Sequence, residues 1–127
     1  MLGRFLEISV RASDVPASLA FYESLGFVQA TTGDSFGHPY AVVTDGRLHL
    51  GLHAREFDAP ALTWVQPDLA RHAESLRALG IDFAFEQFGE DALHQLGFTD
   101  PSGQMITLLE ARTFSPPSLP AAHATRL

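Results

Sequence analysis

Asp14-Val-Pro-Ala-Ser-Leu-Ala-Phe-Tyr-Glu-Ser-Leu-Gly26 and Asp68-Leu-Ala-Arg-His-Ala-Glu-Ser-Leu-Arg-Ala-Leu-Gly80 follow one plan, 68 − 14 = 54 positions apart. At that offset Val15 meets Leu69, Leu19 meets Ala73, Tyr22 meets Leu76, Leu25 meets Leu79 and Phe27 meets Ile81. Agreement at one fixed spacing is the mark of a duplicated supersecondary unit. Asp14 and Asp68 are suited to cap a helix N-terminus, and Pro16 falls in the first turn, where a missing N–H costs nothing. Leu19, Tyr22 and Leu25, like Ala73, Leu76 and Leu79, recur at helical spacing. Gly26 and Gly80 supply the left-handed residue that ends each helix.

Outward from each helix the period changes to two. Leu6, Ile8 and Val10 alternate with Glu7, Ser9 and Arg11, and Leu62 and Trp64 alternate with Ala61, Thr63 and Val65. After the helices come short strands punctuated by turn residues. In the first half they are 27–32, 38–44 and 47–53, with an Asp45-Gly46 turn; in the second, 81–88, 94–99 and 104–111, with Asp100-Pro-Ser-Gly103 between the last two. Each half reads βαβββ, and the fold class is α+β. The domain reading is a first module over 1–53, a linker over 54–60, a second module over 61–112 and a Pro-rich tail over 113–127. The predicted core is Leu6, Ile8, Leu19, Tyr22, Leu25, Leu48, Leu50, Leu62, Leu76, Leu79, Ile106 and Leu108. Trp64 has the parity of Leu62 and is assigned to the core, and Phe83 and Phe85 share one strand face.

The composition fits an ordinary globular domain: 127 residues, 46% hydrophobic and 18% charged. No apolar run is long enough to span a bilayer and no secretory signal is evident, so the expected compartment is cytoplasmic. With no cysteine there are no disulfides, thiolate ligands or cysteine nucleophiles. Fifteen acids against eight arginines give −7, and residues 1–110 alone carry 6 − 15 = −9. That sign disfavours nucleic acid and anionic membranes as partners. Nucleophile elbows, phosphate loops and dinucleotide fingerprints are absent.

The helix Asp14–Phe27 and the final hairpin Phe98-Thr-Asp-Pro-Ser-Gly-Gln-Met-Ile-Thr-Leu108 resemble those of the vicinal oxygen chelate superfamily. It comprises glyoxalases, extradiol dioxygenases, and fosfomycin- and bleomycin-resistance proteins. The similarity spans roughly residues 5–111. It implies two βαβββ modules forming a curved eight-stranded sheet around a cleft, and in metal-dependent members a divalent ion held from the first and last strands of each module. Those positions are Glu7 and His49 in the first module, Ala61 and Thr107 in the second. A methyl and a hydroxyl therefore stand where two ligands are needed, and a catalytic ion usually requires about three. Only His53 or His94 is available to substitute, so no cofactor is expected; a divalent metal, if bound, would sit on Glu7 and His49.

Strand parity agrees with the resemblance in turning Glu7, His49 and His53 away from the helix side. Phe36 and Phe88 are placed where they could touch a flat ligand, His38 sits at a loop-to-strand junction suited to a cleft rim, and Thr63 and Thr107 complete the candidate lining. His72 and His123 are given no role. Similarity to the metal-free bleomycin-resistance branch implies a small-molecule binder that sequesters a cationic aromatic compound, such as an antibiotic, in an acidic cleft. The alternative is a metal-dependent lyase or dioxygenase with an atypical site around Glu7 and His49, whose acid/base pair would be Glu7 with His49. A third reading is an interaction module that has lost its ligand. The expected assembly is a homodimer, as in many relatives, with modules pairing within a chain or across two.

Overall fold

The computed structural model describes residues 2–31 and 36–110. Its elements run β1 (Arg4–Arg11), α1 (Val15–Ser24), β2 (Val28–Ala30), β3 (Tyr40–Thr44), β4 (His49–His53), then β5 (Ala61–Val65), α2 (Leu69–Ala78), β6 (Phe85–Gln87), β7 (Gln95–Thr99) and β8 (Met105–Leu109). This is βαβββ twice, an α+β chain of eight strands and two helices. Two compact units divide β1 between Leu6 and Glu7: residues 7–60 form one, residues 2–6 with 61–110 the other. The tail over 113–127 lies outside the described residues.

In the unit 7–60 the strands lie in the order β2-β3-β4-β1. The Asp45 carboxylate accepts N–H bonds from Arg47 at 2.9 Å and Leu48 at 3.0 Å, which closes the loop between β3 and β4. That loop pairs Thr44 with His49, and the antiparallel register then places Tyr40 opposite His53. β1 runs parallel to β4 with Ile8 beside Leu50 and Val10 beside Leu52. One face, carrying Val10, Ala41, Val43, Leu50 and Leu52, packs with Val15, Leu19 and Tyr22 of α1. Asp14 caps α1 as expected, accepting from the Ala17 N–H at 3.0 Å. By alternation the opposite face carries Glu7, Ser9, Tyr40, Val42, Thr44, His49, Gly51 and His53.

In the other unit the order is β5-β8-β7-β6. Leu69, Ala73 and Leu76 of α2 pack with Leu96, Phe98 and Leu108, and Trp64, Phe83 and Ile106 border that core. Trp64 is thus a core-side residue, met edge-on by Phe5 at 5.1 Å. Phe85, in contrast to Phe83, is exposed on the edge strand β6. The expected cap fails here. Asp68 adopts a left-handed backbone (φ 54°) and its carboxylate makes no cap bond. Glu110 does the job instead, accepting from the Leu69 N–H at 2.7 Å. A carboxylate beside the first free N–H groups satisfies the same need from outside the helix.

The predicted core needs correction at three positions. Leu25 (60% exposed), Leu48 (37%) and Leu79 (77%) face solvent. Leu25 and Leu79 are the C-cap residues of α1 and α2, one step past the last helical residue, so the helical spacing no longer aims them at the sheet. Leu48 belongs to the turn before β4. Leu76 and Leu108 are buried and the other seven are half-buried. The strands are also shorter than expected; β6 is three residues rather than eight.

Candidate functional site

Glu7 is the unexpected feature of the first unit. Strand parity turns it away from the helix side as a candidate ligand contact, yet it is 0% exposed. Burying a carboxylate without partners costs several kcal/mol, so donors have to be found for it. Three are present. Ser9 Oγ donates to Oε2 at 2.6 Å, His53 Nε2 donates to the same oxygen at 2.7 Å, and the Tyr40 hydroxyl donates to Oε1. Burial, the Glu7 charge and that hydrogen bond all push the Tyr40 phenol well above its ordinary range, so it stays protonated and remains a donor.

His53, 4% exposed, is the hinge of a longer chain. Its Nδ1 lies 2.8 Å from Nε2 of His38. The two imidazoles share one hydrogen bond between these nitrogens. The sequence Glu7–His53–His38 thus runs from a fully buried carboxylate to a half-buried imidazole in the segment before β3. Aromatic rings enclose it: Phe36 stands 4.8 Å from His53, edge-on, and 4.7 Å from Tyr40, and Phe57 stands 5.8 Å from His53. His38 is held below the ordinary imidazole value, first by burial and then by the charges of His53 and Arg55, with Glu7 opposing.

Of the predicted site residues the structure therefore brings together Glu7, Phe36, His38 and His53. His49 shares their strand face, half-buried, but the imidazole paired with Glu7 is His53, which corrects the expected Glu7–His49 pair. In the other unit Thr63 and Thr107 are register partners on β5 and β8, and Phe88 is exposed with its ring 5.2 Å from His94. Sequence reasoning gave no part to Tyr40, Ser9 or Gly51. A Cβ on Gly51 would lie 1.8 Å from Glu7 Oε2, so only glycine leaves room for the carboxylate. A glycine inside the strand His49-Leu-Gly-Leu-His53 was the available signal, since such a residue often marks a close approach. The Asp45-Gly46 turn was the signal for Tyr40, because it sets the register that pairs Tyr40 with His53.

A divalent ion does not fit these donors. Both Glu7 oxygens already accept hydrogen bonds, and the second-module positions to which the resemblance points hold only a methyl and a hydroxyl, Ala61 and Thr107. The possible substitutes are occupied as well. His53 uses both ring nitrogens, and His94 has Nδ1 2.8 Å from Glu110 and Nε2 2.9 Å from the Gly89 carbonyl. Among the described residues no three His, Asp or Glu side chains could hold a metal.

No family model matches the chain. No curated protein matches it either. Solved structures do. A methylmalonyl-CoA epimerase in complex with methylmalonyl-CoA and an ammonium ion is 18% identical, with a TM-score of 0.60, over 92% of this chain and 100% of the other. The methylmalonyl-CoA epimerase of Mycobacterium tuberculosis is 16% identical, with a TM-score of 0.55, over 95% and 91%. A glyoxalase/bleomycin resistance protein/dioxygenase superfamily member from Vibrio splendidus 12B01 is 17% identical, with a TM-score of 0.53, over 84% and 97%. This chain has the vicinal oxygen chelate fold. At these identities the likeness establishes the fold of the chain and leaves its chemistry to the residues themselves. In this chain Glu7 of the first strand is engaged in an internal network.

Two outcomes test the network. Tyr40→Phe removes one of three donors from a buried carboxylate and should cost about 1–3 kcal/mol. Gly51→Ala pushes a methyl into the carboxylate and should cost at least as much. In urea unfolding, both variants within about 0.5 kcal/mol of the wild type would contradict the geometry. The second test is the titration of His38 by imidazole NMR. Its midpoint should lie below 6.5 and rise in Arg55→Ala, which removes one repelling charge. Because the folded chain takes up this proton at lower pH than the unfolded chain, His38 contributes stability above pH 6.5 that is lost as pH falls through its native midpoint.

Proposed function

We propose that this chain is a metal-independent small-molecule binding protein of the glyoxalase/bleomycin-resistance type, which sequesters an aromatic compound rather than transforming it. The observation that carries the reading is the engagement of Glu7: the carboxylate is fully buried and accepts from Ser9, Tyr40 and His53, and among the described residues no three His, Asp or Glu side chains gather to hold an ion. Its burial also removes Glu7 as an anchor for a cationic ligand, so the proposal keeps the aromatic compound and gives up that anchor. Phe36 and His38, half-buried beside the network, are the side chains of the first unit best placed to meet a ligand. Thr63, Thr107, His49 and Phe88 remain in the proposal as contacts of lower weight. A homodimer is part of it too, supported by Phe21 and Leu25, each 60% exposed at the outer side of α1 and large enough to be worth covering.

The metal-dependent alternative, a lyase or dioxygenase using Glu7 and His49, is the competing outcome of one experiment. Protein purified without added metal should carry far less than one equivalent of Fe, Mn, Ni or Zn, and divalent ions should leave the thermal midpoint unmoved. A binding aromatic compound should raise it, by the equivalent of about 2.7 kcal/mol at a hundredfold excess over Kd. Near-stoichiometric metal that disappears in Glu7→Ala would overturn the proposal. Light scattering of the same sample should give twice the 13.8 kDa chain mass; a monomer would remove the dimer from it.

A further inference from the structure

Resting on the binding reading above, we infer that the ligand is a planar aromatic carboxylate, its anion held by Arg55 and its ring set against Phe36 and His38. Arg11 and Arg77 are paired at the surface with Glu56 and Glu86. Arg55 has no carboxylate partner among the described residues. Its guanidinium lies over the ring of Phe57, 5.6 Å from the centroid, and Phe57 stands 5.8 Å from His53, edge-on. Contact with that ring takes up one face of the guanidinium and leaves the N–H fork at its edge. The residue is exposed, so the fork is open to an acceptor arriving from solvent. A carboxylate is the acceptor such a fork fits, through two parallel hydrogen bonds.

The rings beside Arg55 supply the apolar half of the site. Phe36, His38 and Phe57 all meet the buried ring of His53, at 4.8, 5.1 and 5.8 Å. Phe36 also lies 5.1 Å from His38, tilted by 42°, so the two half-buried rings can receive a flat group. Aromatic rings gathered in this way would by themselves suit a quaternary ammonium as well as an arene. Arg55 decides between them, because its charge reaches His38 and repels a second cation there. The acids beside it do not cancel that charge: Glu7 is buried among three donors, and Glu56 is engaged by Arg11. Arginine stays charged at any accessible pH, so the inference is the same wherever the protons of the Glu7–His53–His38 chain lie.

Isothermal titration calorimetry with 4-nitrobenzoate, methyl 4-nitrobenzoate and benzyltrimethylammonium separates the possibilities. The three probes share a benzene ring and differ in carrying an anion, a neutral ester or a fixed cation. 4-Nitrobenzoate should bind, with the ester and the cation at least tenfold weaker. Arg55→Gln should remove that preference while keeping the fold, checked by its thermal midpoint. Arg71→Gln deletes an equal charge from the exposed side of α2 and should leave the preference intact. Equal affinity for the acid and its ester, or a preference that survives Arg55→Gln, overturns the inference while the binding function stands. An equal loss in Arg71→Gln overturns it too, since net charge and not Arg55 would then be responsible. Tighter binding of the cation also overturns it, and so does binding of no probe. Stoichiometric metal in the purified protein is the separate result that would end the binding reading itself.

Discussion

Glu7 cannot reach water, and the cost of that burial organises the face of the first unit opposite α1. An isolated ion in such a place would be costly enough to prevent folding or to force its neutralisation. The structure meets the demand with a hydroxyl two residues along the same strand, a phenol from β3 and an imidazole from β4. Every one of these positions depends on the strand register: Tyr40 reaches Glu7 because it lies opposite His53, and it lies there because the Asp45 turn pairs Thr44 with His49. The turn chemistry at one end of a hairpin is therefore what positions the site at the other.

The second unit uses the same element order and gives the corresponding face no charge at all. Ala61, Thr63 and Val65 of β5 lie beside Met105, Thr107 and Leu109 of β8, and of these six only the two threonines bring a hydroxyl. Its carboxylate–imidazole pair, Glu110 with His94, sits instead at the start of α2, where Glu110 replaces the missing Asp68 cap. One scaffold thus carries two Glu–His pairs with different duties, one closing a helix end and the other organising a strand face. Fold similarity predicts neither, which is why methylmalonyl-CoA epimerases of similar fold say little about what this chain binds.

The architecture was legible because its signals are local. Asp14, Gly26 and Gly80 mark helix ends by their own backbone needs, and two-residue alternation shows which side of a strand meets the helix. Leu25 and Leu79 escaped that logic because helical spacing says nothing about where the last turn stops relative to the sheet. Asp68 escaped it because capping depends on backbone angle, and its left-handed φ is visible only in three dimensions. For the site, parity correctly put Glu7, His49 and His53 on one face but could not choose between the two histidines.

Gly51 makes that choice. Counting back from the Ile8–Leu50 pair puts Glu7 level with His49, while His53 lies four residues further, about 13 Å along the strand. The distance is bridged because both side chains lean toward each other over position 51, where the carboxylate occupies the space a Cβ would fill. With glycine the carboxylate lies over β4 and accepts from Tyr40 and His53. The absence of one methyl group is thus what lets the carboxylate reach across β4 to His53 instead of staying level with His49.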